Sequence, residues 1–359
     1  MPHLNFASDN VAGASAPVLD ALVAANAGPL AAYGADEITR EVEARFAAIF
    51  EREVAVFLVA TGTAANALAL SALVQPWGSC VCHEEAHVLD DECGAPEFYT
   101  GGAKMIGIPG PGAKLDPSRV ADALDRLPRH EKQMPAQCLS VSQATECGLV
   151  YGPAEVAALS DAAKARGLAL HMDGARFANA LVSAGCSPAD LTWRAGVDIL
   201  CFGGTKNGCL AAEAVLVFDP AVAATMRFRR KRAGHTLSKG RLLAAQFRGQ
   251  LADDHWLATA RAANGAAARL ATGLAAIPGV RLPWRTEANE VFAILPGPVD
   301  AALKAAGATY HSWSTKSLPP GEALGAGEVL VRMVASFATE NGQVDALLAV
   351  ARQARSEAA

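Results

Sequence analysis

Two apolar runs that end in charge constrain this chain most. Leu168-Ala169-Leu170-His171-Met172 leads into Asp173-Gly174-Ala175-Arg176, and Val197-Asp198-Ile199-Leu200-Cys201-Phe202 leads into Gly203-Gly204-Thr205-Lys206-Asn207. Short apolar runs closed by glycine read as buried strands. The stretch between them, Phe177 to Gly196, is long enough for a helical crossover, which makes the strands parallel. Open α/β sheets bind ligands in the crevice outside the carboxyl ends of such strands. Asp173 and Lys206 are therefore predicted to face one pocket.

An acid and a lysine so placed suit pyridoxal phosphate. A lysine amine condenses with the cofactor aldehyde as a Schiff base. A carboxylate keeps the pyridine nitrogen protonated, so that the ring withdraws electrons from a developing carbanion. The pair by itself is equally compatible with a strand-end salt bridge and a surface lysine, so the rest of the chain has to decide.

The 359 residues exceed one ordinary domain and suit an arm over residues 1–16, a large domain over 17–245 and a smaller α+β domain over 246–359. A hydrophobic fraction of 52 %, much of it alanine, supplies a substantial core and favours helices. The net charge of −5 argues against a nucleic-acid partner. The one basic run, Arg227-Phe228-Arg229-Arg230-Lys231-Arg232, reads as a solvated helix face, with a phosphate or subunit contact as the sharper alternative. No apolar run is long enough to span a bilayer. Met1-Pro2-His3-Leu4-Asn5 has neither a basic nor an apolar leader region, so reduced thiols and a cytoplasmic location are expected for the eight cysteines. Cys80-Val81-Cys82-His83, with His87 nearby, lacks a second cysteine pair and zinc-knuckle spacing; strand alternation explains it, and no metal site is expected.

In chain order, Pro17 opens a helix over Val18 to Asn26, Gly28-Pro29 stops it, and Tyr33-Gly34-Ala35-Asp36 is a loop before a helix from Thr39 to Phe50. The strand Val54 to Val59 runs through Ala60-Thr61-Gly62-Thr63-Ala64-Ala65-Asn66 into a helix predicted from Ala67 to Val74. Such a turn leaves unpaired N–H groups at the positive end of the helix dipole, an anion site, although threonine and glycine also simply cap helices. Ser79 to Cys82 is a strand that brings His83-Glu84-Glu85-Ala86-His87 to its carboxyl end. Further strands are predicted over 101–108, Gln137 to Ser142 and Ala214 to Phe218, with a helix from Asp116 to Leu127. A long helical section from Ala221 to Ala276 breaks near Gly234 and Gly240. Apolar alternations over 279–295 and 327–336 precede a terminal helix from Gln343 to Arg355.

Together these stretches resemble the low-specificity L-threonine aldolases, within the β-eliminating-lyase-like group of fold-type-I pyridoxal phosphate enzymes. The likeness runs from Ser8-Asp9 nearly to the end. It is carried by Tyr33-Gly34 with its acidic turn, Thr61-Gly62-Thr63, His87, His171-Met172-Asp173-Gly174-Ala175-Arg176 and Thr205-Lys206. It implies a mostly parallel seven-stranded sheet with helices on both faces, and a smaller α+β C-terminal domain. It implies that Lys206 holds the cofactor aldehyde, Asp173 meets the pyridine nitrogen, and His87 lies against the ring as a candidate base. Gly62, Thr63, Thr205 and Arg176 complete the cofactor site. Ser8, Arg176 and Arg332 hold the substrate carboxylate, for which the planar guanidinium fork is suited. Sites of this family lie between subunits of a dimer of dimers, so Tyr33 and a basic residue, Arg232 or Lys239, are expected to reach a neighbour's cofactor. The implied reaction is reversible cleavage of L-threonine, L-allo-threonine or another β-hydroxy-α-amino acid such as phenylserine to glycine and an aldehyde.

Three stretches depart from the family pattern. Val88-Leu89-Asp90-Asp91-Glu92 is acidic where relatives carry aromatics, Gln143-Ala144-Thr145-Glu146-Cys147 replaces an Asn/His-containing loop, and Asn207-Gly208 follows the lysine. Another fold-type-I lyase or aminotransferase, and a non-catalytic binding protein on the same fold, remain the competing readings.

Overall fold

The computed structural model describes residues 4–127 and 130–357. Its strands are β1 (Ala55–Val59), β2 (Ser79–His83), β3 (Lys104–Ile108), β4 (Ala136–Ser142), β5 (Ala169–Gly174), β6 (Ile199–Gly203), β7 (Glu213–Val217), β8 (Glu290–Pro296), β9 (His311–Ser312) and β10 (Glu328–Val334). Its helices are α1 (Ala16–Ala25), α2 (Glu37–Ile49), α3 (Gly62–Leu73), α4 (His87–Asp90), α5 (Ala95–Thr100), α6 (Pro117–Arg126), α7 (Pro153–Lys164), α8 (Phe177–Ala184), α9 (Pro220–Arg232), α10 (Arg241–Leu251), α11 (His255–Ala275), α12 (Gly297–Ala305) and α13 (Asn341–Glu357). Among the described residues no helix is long and apolar enough to cross a membrane.

Seven strands form the main sheet in the order β1-β7-β6-β5-β4-β2-β3, and β8-β10-β9 form a small one. From β3 to β6 every neighbour is parallel, whereas β7 runs antiparallel to both β6 and β1. The fold is therefore the predicted α/β architecture, with β5 and β6 side by side and parallel. Strands β2, β6 and β7 are buried at every position, as expected of strands covered on both faces.

Below the carboxyl end of β6, Phe202 packs among Phe46, Phe50, Phe177, Phe247 and Trp256 at centroid distances of 5.3 to 6.5 Å. This cluster draws α2, α8, α10 and α11 onto one strand and fixes the height at which the chain leaves it. Fully burying one such ring contributes about 2–3 kcal/mol. At the strand end Gly203 lies against β5: a Cβ there would stand 2.2 Å from the carbonyl oxygen of Ala175. Only glycine lets the two strand ends, one bearing Asp173 and the other Lys206, come this close.

Local boundaries differ from the sequence expectation in informative places. Helix α3 begins at Gly62 rather than Ala67, because the Thr61 side chain accepts the Ala64 N–H at 3.1 Å and caps the helix there. The expected turn is thus the first helical turn. The long helical section is three helices; the break before α11 falls at Asp253 and Asp254, both in the left-handed region. Helix α7, which the apolar pattern did not reveal, starts with Pro153 at its first position and the Glu155 carboxylate on the Gly152 N–H.

The N-terminal arm docks on the small sheet: the Phe6 N–H donates to the Thr309 carbonyl and the Val334 N–H donates to the Phe6 carbonyl, both at 2.8 Å. Leu4 and Phe6 join the core between that sheet and α11, α12 and α13. This seam carries Ser8 and Asp9 to the carboxyl edge of the main sheet.

Candidate active site

A cleft of about 500 Å³ opens at that edge. Strands β4 and β5 send Ser142 and Asp173 into it, the segments that follow β2 and β6 supply His87, Thr205 and Lys206, and β8, β10 and the arm close it. Ser8, Gly62, Thr63, His87, Asp173, Arg176, Thr205, Lys206 and Arg332 all line it. Tyr33 does not. It lies on another face, exposed, with the Lys231 ammonium 5.1 Å over its ring, and Arg232 and Lys239 are exposed as well.

The acid end of the cleft is a chain of four side chains, from β5, α3, α4 and the loop after α4. The Asp173 Oδ1 accepts the Ala175 N–H at 3.0 Å, and its Oδ2 accepts the Asn66 amide at 2.9 Å. The same Asn66 nitrogen donates to Glu92 Oε1 at 2.8 Å, and that oxygen meets His87 Nδ1 at 2.9 Å. Burial opposes the charge on Asp173, but the positive charges of His87 and Lys206 and the Ala175 N–H outweigh it and hold the carboxyl below its usual range. The hydrogen bond to Glu92 raises His87 above the ordinary imidazole value, against burial. Burial in turn pushes the Glu92 carboxyl up. With Nδ1 committed to Glu92, the other ring nitrogen of His87 is the one left for chemistry. The Glu146 carboxylate fixes His87 from behind, accepting its backbone N–H at 3.1 Å and the Ser142 hydroxyl at 2.5 Å. Burial raises this acid to about 7.

The opposite end sets two arginines against two buried acids. Arg176 donates Nε to Asp9 Oδ2 at 2.8 Å and Nη2 to Asp9 Oδ1 at 3.2 Å, while its Nη1 lies 3.5 Å from Glu290. Asn289 also donates to Asp9. Arg332 stacks 4.4 Å over Trp313 and stands 3.8 Å from Glu290, and its buried Nε has no hydrogen-bond partner in the structure. An orphaned guanidinium donor beside an otherwise committed arginine leaves capacity for one more carboxylate.

Asp9, Asn66, Glu92, Glu146, Glu213, Glu290 and Trp313 are the residues that sequence reasoning did not place here. The signal for Glu213 and Glu290 was present: each is an acid that opens a buried strand, an expensive position without a dedicated partner. Nothing local marks Asn66, which sits inside an ordinary helix turn.

The beta-eliminating lyase family matches residues 5–296. The low-specificity L-threonine aldolase of Pseudomonas aeruginosa is 46 % identical over 309 residues, 86 % of this chain and 89 % of that one. That of a Pseudomonas species is 42 % identical over 352 residues, 98 % of each chain. The chain belongs to the beta-eliminating lyase family, among the low-specificity L-threonine aldolases. The solved threonine aldolase of Leishmania major superposes on this family member with a TM-score of 0.89 at 28 % identity, covering 98 % of this chain and 99 % of that one.

The cofactor of this aldolase family is pyridoxal phosphate, and the cleft has the groups to hold it. Asp173, kept ionised, suits a protonated pyridine nitrogen. Helix α3 points its first N–H groups, those of Gly62 and Thr63, at the cleft ahead of the first intrahelical bond, a site for phosphate. Lys206 stands on a one-turn helix just past the end of β6. His87, Glu92 and Asp173 also bring their ligand atoms within 4.8 Å of one another. Asn66 ties the two acids together.

Proposed function

We propose that this protein cleaves L-threonine, L-allo-threonine and related β-hydroxy-α-amino acids to glycine and an aldehyde, reversibly. The observation that carries this reading is a single cleft with an amine-bearing lysine, a carboxylate kept ionised, a histidine with one committed nitrogen, and an arginine with an unpaired donor. Pyridoxal phosphate supplies an aldehyde for amine capture and an electron-withdrawing ring that takes up negative charge from Cα.

The chain's own residues do the rest. Lys206 would hold the cofactor through its side-chain amine between turnovers. Arg332, with Arg176 and Ser8, takes the substrate carboxylate and so sets which bond at Cα is aligned for cleavage. Arg176 does this with one face only, since Asp9 occupies the other. His87 receives the proton of the β-hydroxyl at its free ring nitrogen, directly or through a water, as the Cα–Cβ bond breaks and the aldehyde leaves. A base so placed contributes roughly a hundred- to ten-thousand-fold. Glu92 stabilises the imidazolium that forms.

Exposed Leu19 and Val23 on α1, Phe228 on α9, and Tyr33 and Leu237 support a further part of the reading. Copies of the chain pair through exposed apolar residues such as these as a dimer of dimers, bringing Tyr33 and a basic residue near Arg232 or Lys239 to a neighbour's cofactor. Light scattering gives the oligomer directly.

Incubation with L-threonine and with phenylserine tests the function. Glycine with acetaldehyde or benzaldehyde is expected; ammonia with a keto acid would assign a different lyase. His87→Asn is expected to reduce cleavage at least a hundredfold, and unchanged turnover would remove the histidine from its role.

A further inference from the structure

One acid in the cleft has no task in the reading above. Glu213 opens β7, and its Cα stands opposite Val59 at the end of β1 and Gly203 at the end of β6. From Val59 the chain enters the capped start of α3; from Gly203 it enters the turn that bears Lys206. Glu213 thus sits between the strand end that leads into the α3 start and the one that leads to Lys206. It lines the cleft although the residue is only 8 % exposed. Its Oε2 accepts the Gly204 N–H at 3.0 Å, which fixes the carboxyl to the base of the lysine turn.

A fixed carboxylate is an odd wall for a phosphate site. Like charges held close in a poorly solvated cleft disfavour each other's ionised forms. We propose that Glu213 is a positioning residue that makes anion capture at this turn proton-linked: the phosphate of the cofactor binds when the Glu213 carboxyl carries a proton, and loading takes that proton up. The proposal rests on the cofactor reading of the preceding subsections.

The surroundings support it. Burial pushes Glu213 up to about 7, while the Thr205 hydroxyl, the Gly204 and Thr205 N–H groups and the Lys206 charge pull it down. The other titratable groups facing it are Cys201 from β6 and Cys209 beyond the turn. Burial raises both thiols well above their ordinary value, so they stay neutral throughout. Glu213 therefore titrates in the neutral range while the two thiols do not; Glu146, also raised to about 7, is committed at the His87 end of the cleft. A nearby phosphate raises the proton affinity of Glu213 further. The favourable contribution to loading is complete below about 7 and is lost as pH rises through the loaded-state value.

The test uses the full-length apoprotein, titrated with pyridoxal phosphate between about pH 6.5 and 9 and followed by protein fluorescence. Calorimetry in two buffers of different ionisation enthalpy counts protons. Pyridoxal, which lacks the phosphate, is the control. Glu213→Gln keeps an oxygen for the Gly204 N–H. The wild type should lose affinity for pyridoxal phosphate by up to about tenfold per pH unit above neutrality, beyond any slope of the variant, one proton being linked. At pH 8 it should take up close to one proton per site more than E213Q. With pyridoxal the two proteins should not differ. Equal slopes and equal proton uptake would overturn the proposal. Should E213Q fold poorly, sulfate serves as a probe of fixed charge on the wild type: its affinity should fall over the same range, and a flat profile would overturn the idea. If no visible absorption band forms with pyridoxal phosphate at any pH, the cofactor reading fails instead.

Discussion

Asp9→Asn separates the arm from the cleft by a single oxygen-to-nitrogen change. Asp9 is 2 % exposed and accepts two hydrogen bonds from Arg176, at 2.8 and 3.2 Å, and one from Asn289 at 3.1 Å. The Arg176 side chain is itself only 13 % exposed, so solvent screens the pair little. Removing one partner of a buried ion pair costs about 3–5 kcal/mol, because the other charge is left uncompensated. Here Glu290 at 3.5 Å still faces Arg176, and asparagine retains the shape and one acceptor, so the lower end, about 3 kcal/mol, is expected. Burial opposes ionisation of Asp9, yet the Arg176 and Lys206 charges and the hydrogen bonds from Arg176 and Asn289 hold its pKa below the usual carboxylate value. The stabilisation is therefore present above the unfolded-state value, about 3.9, and is lost as pH falls through the folded-state value. Urea titrations by tryptophan fluorescence at neutral pH and between about pH 3 and 5 read both effects. D9N should lose about 3 kcal/mol at neutrality and show a flatter acid limb than wild type. A double-mutant cycle with Arg176→Met should give a coupling of at least about 1.5 kcal/mol, since in the double variant neither Asp9 nor Arg176 is left facing a lost partner, and Arg332 still faces Glu290 at 3.8 Å. A loss below about 1 kcal/mol, or additive single variants, would refute the claim that this pair pins the arm to the cleft.

Three further perturbations address the chemistry. Lys206→Ala should abolish the visible absorption of the lysine-bound cofactor together with nearly all activity; a retained band would mean that another amine holds the cofactor. Glu92→Gln removes the charge that raises His87, so the acid limb of kcat/KM should move to lower pH, with a plateau lowered about tenfold because an amide does not fix the ring tautomer; an unmoved limb would show that His87 is not the titrating base. Arg332→Ala should raise KM for the amino acid about 10- to 100-fold, the worth of about 1.5–3 kcal/mol for a charge-assisted bond, and unchanged steady-state kinetics would exclude it from carboxylate binding.

How much of this was legible beforehand follows from how far apart the cooperating residues lie. Asp173 and Lys206 were readable because each closes an apolar run, and a run of that length is a strand whichever protein contains it. The turn at Gly62 and Thr63 and its capping were readable for the same local reason, although the helix was expected from Ala67, five residues after its start at Gly62. Arg332 stood out as a charge inside an apolar run.

The sequence by itself therefore determined the α/β layering, the ends of the strands and the residues that emerge from them, because hydrophobic period and glycine placement act within a few residues. Only the tertiary structure decided that Arg176 is half consumed by Asp9 and Glu290, that Asn66 ties Glu92 to Asp173, and that Glu213 backs the lysine turn. Each of those partners is a buried polar group whose bond exists only after strands and arm have packed. Local pattern carries no record of which distant side chain will satisfy it.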